Sequence, residues 1–300
     1  MRTNRSVVEL AAAKLNLTLA IVGRRADGYH LIDSVMVPIG LCDRLRVSVS
    51  QPGGGGGAVR LSVRGARVGV PRGPSNLAVR AALAFRHAAG ERGTVSITLD
   101  KTIPVAAGLG GGSSDAAAVL RALDRLWPGR VSTARLRRLA AELGADVPFF
   151  LDGRPARVTG IGEVVRRFRG RVPRWFAIAV PRPGVSTAWA YRAFRLTRPH
   201  PGSRLRRLRY SVSHPVNDLE AAVLPRRPDI RLVKRRLLEA GARTALMSGS
   251  GSAVYGTFAA RRQASDAVGR LPRTIRVFVV NALTTPPKAG RRSAGRSPSW

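Results

Sequence analysis

Four apolar runs, Val7–Leu10, Leu15–Val22, Leu31–Val37 and Leu45–Val49, read as strands, the first two flanking Ala11-Ala12-Ala13-Lys14. A polar turn, Arg24 to His30, divides the second from the third, and a glycine-rich hairpin loop follows at Gln51–Gly57. Helical spacing then takes over at Asn76–Ala89, through Leu77, Ala81, Leu83, Ala84 and Ala88, and Val95–Leu99 reads as a strand leading into Lys101. Ala116, Ala117, Val119, Leu120, Leu123 and Leu126 predict a helix from about Ser113 to Leu126, which Trp127-Pro128-Gly129 stops. A further helix, Thr133–Leu143, runs into a turn at Gly144–Phe150.

A basic, proline-containing break at Arg166–Arg174 separates this half from the next. Beyond it the pattern predicts strand Trp175–Val180, helix Thr187–Phe194, a basic loop to about His214, and helices Asn217–Leu224 and Asp229–Ala240. Strand Thr244–Met247, a Ser248–Ser252 turn, strand Ala253–Phe258, helix Arg262–Leu271 and strand Ile275–Val280 complete the set. The expected class is α+β with helices on one face of a sheet in the second half. The expected division is 1–168, 169–283 and a disordered tail, 284–300, rich in Pro, Gly, Ser and Arg.

The stretch with the most chemistry is Pro104-Val-Ala-Ala-Gly108-Leu109-Gly110-Gly111-Gly112-Ser113-Ser114-Asp115. Glycines let backbone N–H groups approach a ligand, Ser113 or Ser114 can cap the helix, and the helix start attracts an anion. A flexible linker would not run straight into an amphipathic helix, and Lys101 stands just upstream. The order is not a Walker A loop, which needs Lys then Ser or Thr after its last glycine. Nor is it a dinucleotide fingerprint, because Gly108-x-Gly110-x-x-Ser113 lacks the closing Gly or Ala. The residues alone define a phosphate loop of undetermined type.

Composition changes the picture in three ways. No apolar run among the 300 residues approaches a membrane span, and Met1–Ser6 lacks the core of a secretory signal, so a cytoplasmic protein is expected. The single cysteine, Cys42, excludes an intrachain disulfide and a cysteine metal cluster, and reads as a small buried apolar residue. The charge is +35, with 52 basic residues against 17 acidic ones, and clusters at Arg204–Arg209 and Lys234–Arg236 raise a nucleic-acid surface as an alternative. The basic residues are spread along the chain without interleaved aromatics, which favours a solvated surface. Only four of the 52 are lysines, and two of those, Lys14 and Lys101, sit on an apolar strand and beside the glycine loop. An arginine-rich chain that keeps lysine there suggests a need for a compact ammonium.

Three separated blocks, Ala13-Lys14-Leu15-Asn16, Pro104–Ala118 and Met247-Ser248-Gly249-Ser250-Gly251-Ser252, resemble those of the superfamily of galactokinase, homoserine kinase, mevalonate kinase and phosphomevalonate kinase. Four stretches, Arg25-Ala26-Asp27-Gly28-Tyr29-His30, Gly110–Asp115 within the central block, Leu143-Gly144-Ala145-Asp146-Val147-Pro148 and Gly160-Ile161-Gly162-Glu163, are similar in order and spacing to its branch acting on a cytidine diphosphate-linked methylerythritol. The resemblance covers about Leu10 to Val280. It implies a two-lobed fold, with a ribosomal S5-like N-terminal domain and a ferredoxin-like C-terminal one.

The same resemblance implies ATP as donor, Mg²⁺ as its companion, and transfer of the γ-phosphoryl group to the acceptor's 2-hydroxyl. Asp146 matches the catalytic base, with Lys14 beside it to keep it ionised. Asn76, Lys101, Pro104, Gly108, Leu109, Gly110, Gly111, Gly112, Ser113 and Ser114 correspond to the nucleotide side. Asn16, Tyr29, His30, Asp146, Thr187 and Tyr191 correspond to the acceptor side, with Tyr29-His30 and Tyr191 around the cytosine. Ser114 is the first candidate for a metal ligand and Asp115 the second. The alternatives are another small-molecule kinase of the superfamily, of homoserine or mevalonate type, and a nucleic-acid-binding protein on a degenerate kinase fold.

Overall fold

The computed structural model describes residues 5–50, 57–65, 69–194 and 215–287. The Arg204–Arg209 cluster, residues 51–56 of the glycine loop and residues 288–300 of the tail lie outside the described residues.

The four expected N-terminal strands are two. Strand β1 (Arg5–Arg24) and strand β2 (His30–Ser50) form one long antiparallel hairpin. The alanine run and Pro38 do not interrupt it, because register shifts at Ala12/Ala13, Asn16/Thr18 and Ile21/Gly23 absorb the irregular positions. The centre of β1 is buried without a break from Ala11 to Ile21, so no alternation is left in the sequence to reveal one continuous strand.

Strand β3 (Val59–Arg64), helix α1 (Leu77–Ala89) and strand β4 (Thr94–Asp100) follow. β3 is absent from the expected set, although Val59-Arg-Leu-Ser-Val-Arg64 alternates strictly; it lies parallel to β4 at the edge of the sheet. Helices α2 (Gly111–Leu126), α3 (Thr133–Leu143) and α4 (Val147–Asp152) precede strands β5 (Ala156–Gly160) and β6 (Val164–Arg167). The sheet order is β3-β4-β2-β5-β6, with β1 on β2. The core between this sheet and its helices gathers Leu45, Val47, Ile97 and Leu99 with Phe85, Val119, Leu123 and Phe149. Each such large side chain contributes about 1.5–3 kcal/mol on burial.

Two local elements differ from what the sequence pattern predicts. Helix α2 starts at Gly111, two residues before the serines, and its cap is Gly110 in the left-handed region (φ +70°), with no side-chain cap. The turn expected at Gly144–Phe150 becomes the short helix α4, with Pro148 in its first turn, where a missing N–H costs nothing.

The second sheet contains strands β7 (Trp175–Val180), β8 (Ala245–Met247), β9 (Val254–Phe258) and β10 (Arg276–Asn281), all antiparallel in the order β10-β7-β9-β8. Between β7 and β8 lie helices α5 (Thr187–Ala193), α6 (Glu220–Val223) and α7 (Pro228–Glu239), and between β9 and β10 lies α8 (Arg261–Gly269). This strand–helix–strand–strand–helix–strand order is the ferredoxin-like arrangement. Helix α6 is shorter than expected because Asn217 is held in an isolated bridge to Leu19 instead of entering the helix.

A third apolar cluster joins the two sheets. Leu15, Val35 and Ile39 of the long hairpin meet Phe176, Ile178 and Tyr255 of the second sheet, with Ile103 and Leu109 beside them. The hairpin is therefore covered on both sides, and the glycine loop is packed into that junction. Among the described residues no helix is long and apolar enough to cross a membrane.

Candidate active site

The three sequence blocks converge at the junction. Lys14 donates its backbone N–H to the carbonyl of Leu109 (3.0 Å), and Ala253 donates to that of Ala107 (3.0 Å), so β1 and the Ser248–Ser252 turn hold the glycine loop from two directions. The Ser248 hydroxyl donates to the Gly108 carbonyl (3.1 Å) and accepts the Asn16 backbone N–H (3.4 Å). Gly108 (φ +74°) has no room for a side chain, since a Cβ there would stand 2.0 Å from the Ser248 carbonyl oxygen. At Gly110 a Cβ would meet the Phe150 ring at 2.7 Å.

Behind the loop lies a buried charge cluster that the sequence did not disclose. Lys101 donates to Asp115 Oδ2 (2.7 Å) and to Asp43 Oδ2 (2.5 Å), and its ammonium stands 3.0 Å from where a Gly111 Cβ would be. Asp43, wholly buried, also accepts the backbone N–H groups of Thr102 (2.5 Å) and Ile103 (2.8 Å). Lys101 therefore ties β2, the start of the glycine loop and α2 together. One ammonium serves two buried carboxylates; burial first, and then the neighbouring Asp43 charge, push the Asp115 carboxyl up to about 8 against the opposing pull of Lys101. Asp115 Oδ1 is buried and has no partner among the described residues. An acidic residue at an inward position of an apolar strand, Cys42-Asp43-Arg44, was the one available signal for Asp43.

A cleft of about 1170 Å³ opens over this frame. It is larger than a pocket for one drug-sized ligand, typically ~300–1,000 Å³. Lys14, Asn16, Tyr29, His30, Asn76, Lys101, Pro104, Gly108, Leu109, Gly110, Gly111, Gly112, Ser113, Asp146, Thr187 and Tyr191, all expected site residues, line it. Ser114 does not; it is buried in the packed face of α2, while Ser113 and Asp115 reach the wall. The half-buried Cys42 lies on β2, where burial, and then the Asp43 charge, push its thiol up to about 11, which suits an inert position.

Lys14 and Asp146 form the centre. The Lys14 ammonium donates to Asn16 Oδ1 and lies 4.0 Å from Asp146 Oδ2. Burial lowers the Lys14 pKa from its ordinary value, opposed by the Asp146 charge. Asp146 is the residue before α4, yet its carboxylate makes no cap bond and stays partly open to the cleft. Asn16 is fixed on every side: its Nδ2 donates to the Ser34 hydroxyl (2.8 Å), and its carbonyl accepts the Tyr255 hydroxyl (2.8 Å). Asn217, also unanticipated, donates to the carbonyls of Met247 and Gly249 (both 2.8 Å) and so shapes the serine–glycine turn.

The hairpin between β1 and β2 presents the aromatic pair. Asp27 accepts the Tyr29 N–H (3.2 Å), Gly28 takes φ +90°, and Tyr29 and His30 emerge at the cleft. His30 stands 5.4 Å, ring centre to centre, from Tyr191 and 6.2 Å from Phe194. Burial, and then the Arg24 charge, lower the His30 pKa, which favours the neutral imidazole. Burial, and then the Asp146 charge, raise the Tyr191 pKa, so the phenol stays protonated. On α5 the Thr187 hydroxyl meets that of Ser250 (3.0 Å). Asn76 is occupied as the cap of α1, accepting from Ala78 (2.8 Å) and donating to the Pro71 carbonyl (2.7 Å), so its side chain shapes the wall.

Glycine-loop donors, a charged pair and an aromatic pair in one cleft between these two sheets are the parts of a small-molecule phosphotransferase, and the comparisons agree. The model of the GHMP kinases N terminal domain matches residues 76–154, and that of the GHMP kinases C terminal matches 203–276. A 4-diphosphocytidyl-2-C-methyl-D-erythritol kinase of Geobacter metallireducens is 42% identical over 280 residues, 92% of this chain and 98% of that one. One from Symbiobacterium thermophilum is 44% identical over 275 residues, 88% of this chain and 93% of that one. The crystal structure of a 4-(cytidine 5'-diphospho)-2C-methyl-D-erythritol kinase superposes with a TM-score of 0.76 at 38% identity, covering 92% of this chain and 99% of the other. Homoserine kinase from Cytophaga hutchinsonii shares the fold alone, at TM-score 0.69 and 17% identity. The chain belongs to the GHMP kinases and, within them, to the family of 4-diphosphocytidyl-2-C-methyl-D-erythritol kinases.

Proposed function

We propose that the chain transfers the γ-phosphoryl group of ATP to the 2-hydroxyl of 4-(cytidine 5'-diphospho)-2-C-methyl-D-erythritol, a step in isoprenoid precursor formation, giving ADP and the 2-phosphate. The observation that carries the reading is the Lys14–Asp146 pair, 4.0 Å apart, in one cleft with the glycine loop and the His30–Tyr191 pair. Asp146 takes the proton of the acceptor hydroxyl as its oxygen bonds to the γ-phosphorus and the bond to the β-phosphate oxygen breaks. Lys14 sets its positive charge beside Asp146 and turns the carboxylate toward the acceptor, and its position is fixed by Asn16.

The backbone N–H groups at the start of α2 receive the nucleotide phosphates, aided by the helix dipole. Lys101 acts there through the loop it anchors, its charge shared with Asp43 and Asp115. Among the described residues no group of three or more His, Cys, Asp or Glu could hold a resident metal, which suits a Mg²⁺ that enters with ATP and takes one or two protein ligands. The unpartnered Asp115 Oδ1 fits such a ligand better than Ser114, which faces away from the cleft. Bound Mg²⁺ would supply neutralisation of the β- and γ-phosphate charge.

Tyr29, His30 and Tyr191 receive the cytosine, whose π-face and polar edge call for an aromatic stack with hydrogen bonds. At 5.4 Å the His30 and Tyr191 rings touch each other, so the base stacks on this pair or parts it. A cytoplasmic location, with its supply of ATP, goes with this reading. Coupled ADP release with Mg-ATP and three acceptors, the cytidyl diphosphate compound, mevalonate and homoserine, tests the reading. Turnover confined to the first supports it, and turnover on either of the others instead refutes the acceptor assignment.

A further inference from the structure

The proposed acceptor carries two phosphates between its cytosine and the hydroxyl that reacts, and a cation on the cleft wall would neutralise their charge. Among the described residues the basic side chains lining the cleft are Lys14, Lys101, His30 and Arg192. Lys14 is occupied by Asn16 and Asp146, and Lys101 by Asp43 and Asp115. His30 is half-buried against Tyr191 and Phe194, with its protonation disfavoured. Arg192 is left.

Its placement follows from helix geometry. On α5, Thr187 and Tyr191 are one turn apart, as are Ala188 and Arg192, and all four line the cleft. Arg192 thus stands beside the aromatic that faces His30. Among the described residues no carboxylate pairs with it: Asp27, which also lines the cleft, is engaged by Arg25 (2.7 Å), and Asp146 faces Lys14. The chain contains 48 arginines, and among the described residues this is the only one at the cleft. A guanidinium also offers a planar fork of donors suited to phosphate oxygens.

We propose that Arg192 binds the pyrophosphate of the acceptor and so sets the enzyme's preference for a cytidine diphosphate ester over an uncharged alcohol. The inference rests on the acceptor assigned above, and goes beyond it by naming the residue that recognises the diphosphate.

The test compares cytidine with CDP by calorimetry, with the nucleotide site filled by ADP, on the unaltered protein and on Arg192→Gln and Arg192→Lys. In Arg192→Gln the CDP affinity falls about tenfold or more while that of cytidine holds, because a charge-assisted contact is lost and the aromatic site is intact. Arg192→Lys restores part of the difference. Separate ADP titrations, unchanged in both variants, show that fold and nucleotide site survive. An unchanged CDP-to-cytidine ratio overturns the proposal, as does a parallel loss of both, which would make Arg192 a support for Tyr191. A loss of ADP affinity alone would give the arginine to the nucleotide and overturn it too. Unaltered protein that binds ADP but neither cytidine compound refutes the acceptor reading itself, and the arginine's role with it.

Discussion

Lys14 Nζ and Asp146 Oδ2 stand 4.0 Å apart, one from the middle of the first strand and the other from the residue that precedes α4. The lysine is enclosed and bonded to Asn16, whereas the carboxylate keeps an open edge on the cleft. A base needs this asymmetry: a fixed counter-charge behind it and room for a hydroxyl in front. Asp146→Asn should therefore lower kcat by about 10²–10⁴-fold and leave ADP and CDP affinities within a few fold. Steady-state turnover and calorimetry check it, and near-normal turnover would remove Asp146 as base.

Asp43 predicts a stability effect instead. It accepts three donors, from Lys101, Thr102 and Ile103, with no exposed surface. Asp43→Ala leaves those donors buried, and breaking such a pair costs about 3–5 kcal/mol. Urea unfolding should show the loss, and a substitution costing under about 1 kcal/mol would mean that water replaces the carboxylate.

Two glycines separate fold from ligand. At Gly108 a Cβ would overlap the Ser248 carbonyl at 2.0 Å in a backbone conformation that side chains resist, so Gly108→Ala should fail to fold or unfold well below the unaltered protein. At Gly112 the nearest atom would be Leu77 Cδ1 at 3.7 Å, an ordinary contact inside a helix. Gly112→Ala should raise stability by roughly 0.5–1 kcal/mol. Gly112 lines the cleft beside Leu77, so with the phosphates bound as proposed the added methyl should raise the KM for ATP. Thermal melts and KM values together decide, and an unchanged KM would move the phosphates elsewhere.

His30 gives the pH dependence. Its folded-state pKa lies below the ordinary 6.5, so the site favours the neutral ring. Above 6.5 the ring is neutral in both the folded and unfolded chains and the contribution is level; as pH falls below 6.5 the unfolded state binds the proton more readily and stability is lost. If cytosine packs on the neutral ring, cytidine affinity should stay level above neutrality and weaken in the acid range. In His30→Phe that acid limb should vanish. An identical acid limb in the variant would assign the titration to another group.

Asp115 carries the prediction for the divalent ion. If its unpartnered oxygen holds Mg²⁺, the ion should strengthen ADP binding in the unaltered protein, and Asp115→Asn should remove most of that gain. Calorimetry with and without EDTA reads this without turnover. An equal Mg²⁺ enhancement in both proteins would leave the phosphates as the ion's only ligands.

The sequence by itself determined the α+β class, most of the helices, and the blocks that bear the chemistry. Helices α1, α3 and α7 were legible because one face of each packs on a core while the other stays wet, which leaves a period in the sequence. The glycine loop was legible because its conformations exclude side chains. Only the tertiary structure joined β1 and β2 into one hairpin: with a sheet's helices on one side and a second sheet on the other, the strands lost the alternation that would have marked them. It alone also brought Asp43 to Lys101, Asn217 to the serine–glycine turn and Arg192 to the cleft. Those partners are far apart in the chain, and a single charged or amide residue leaves no periodic trace; what each does is decided by which distant groups packing of the apolar faces brings within hydrogen-bond reach.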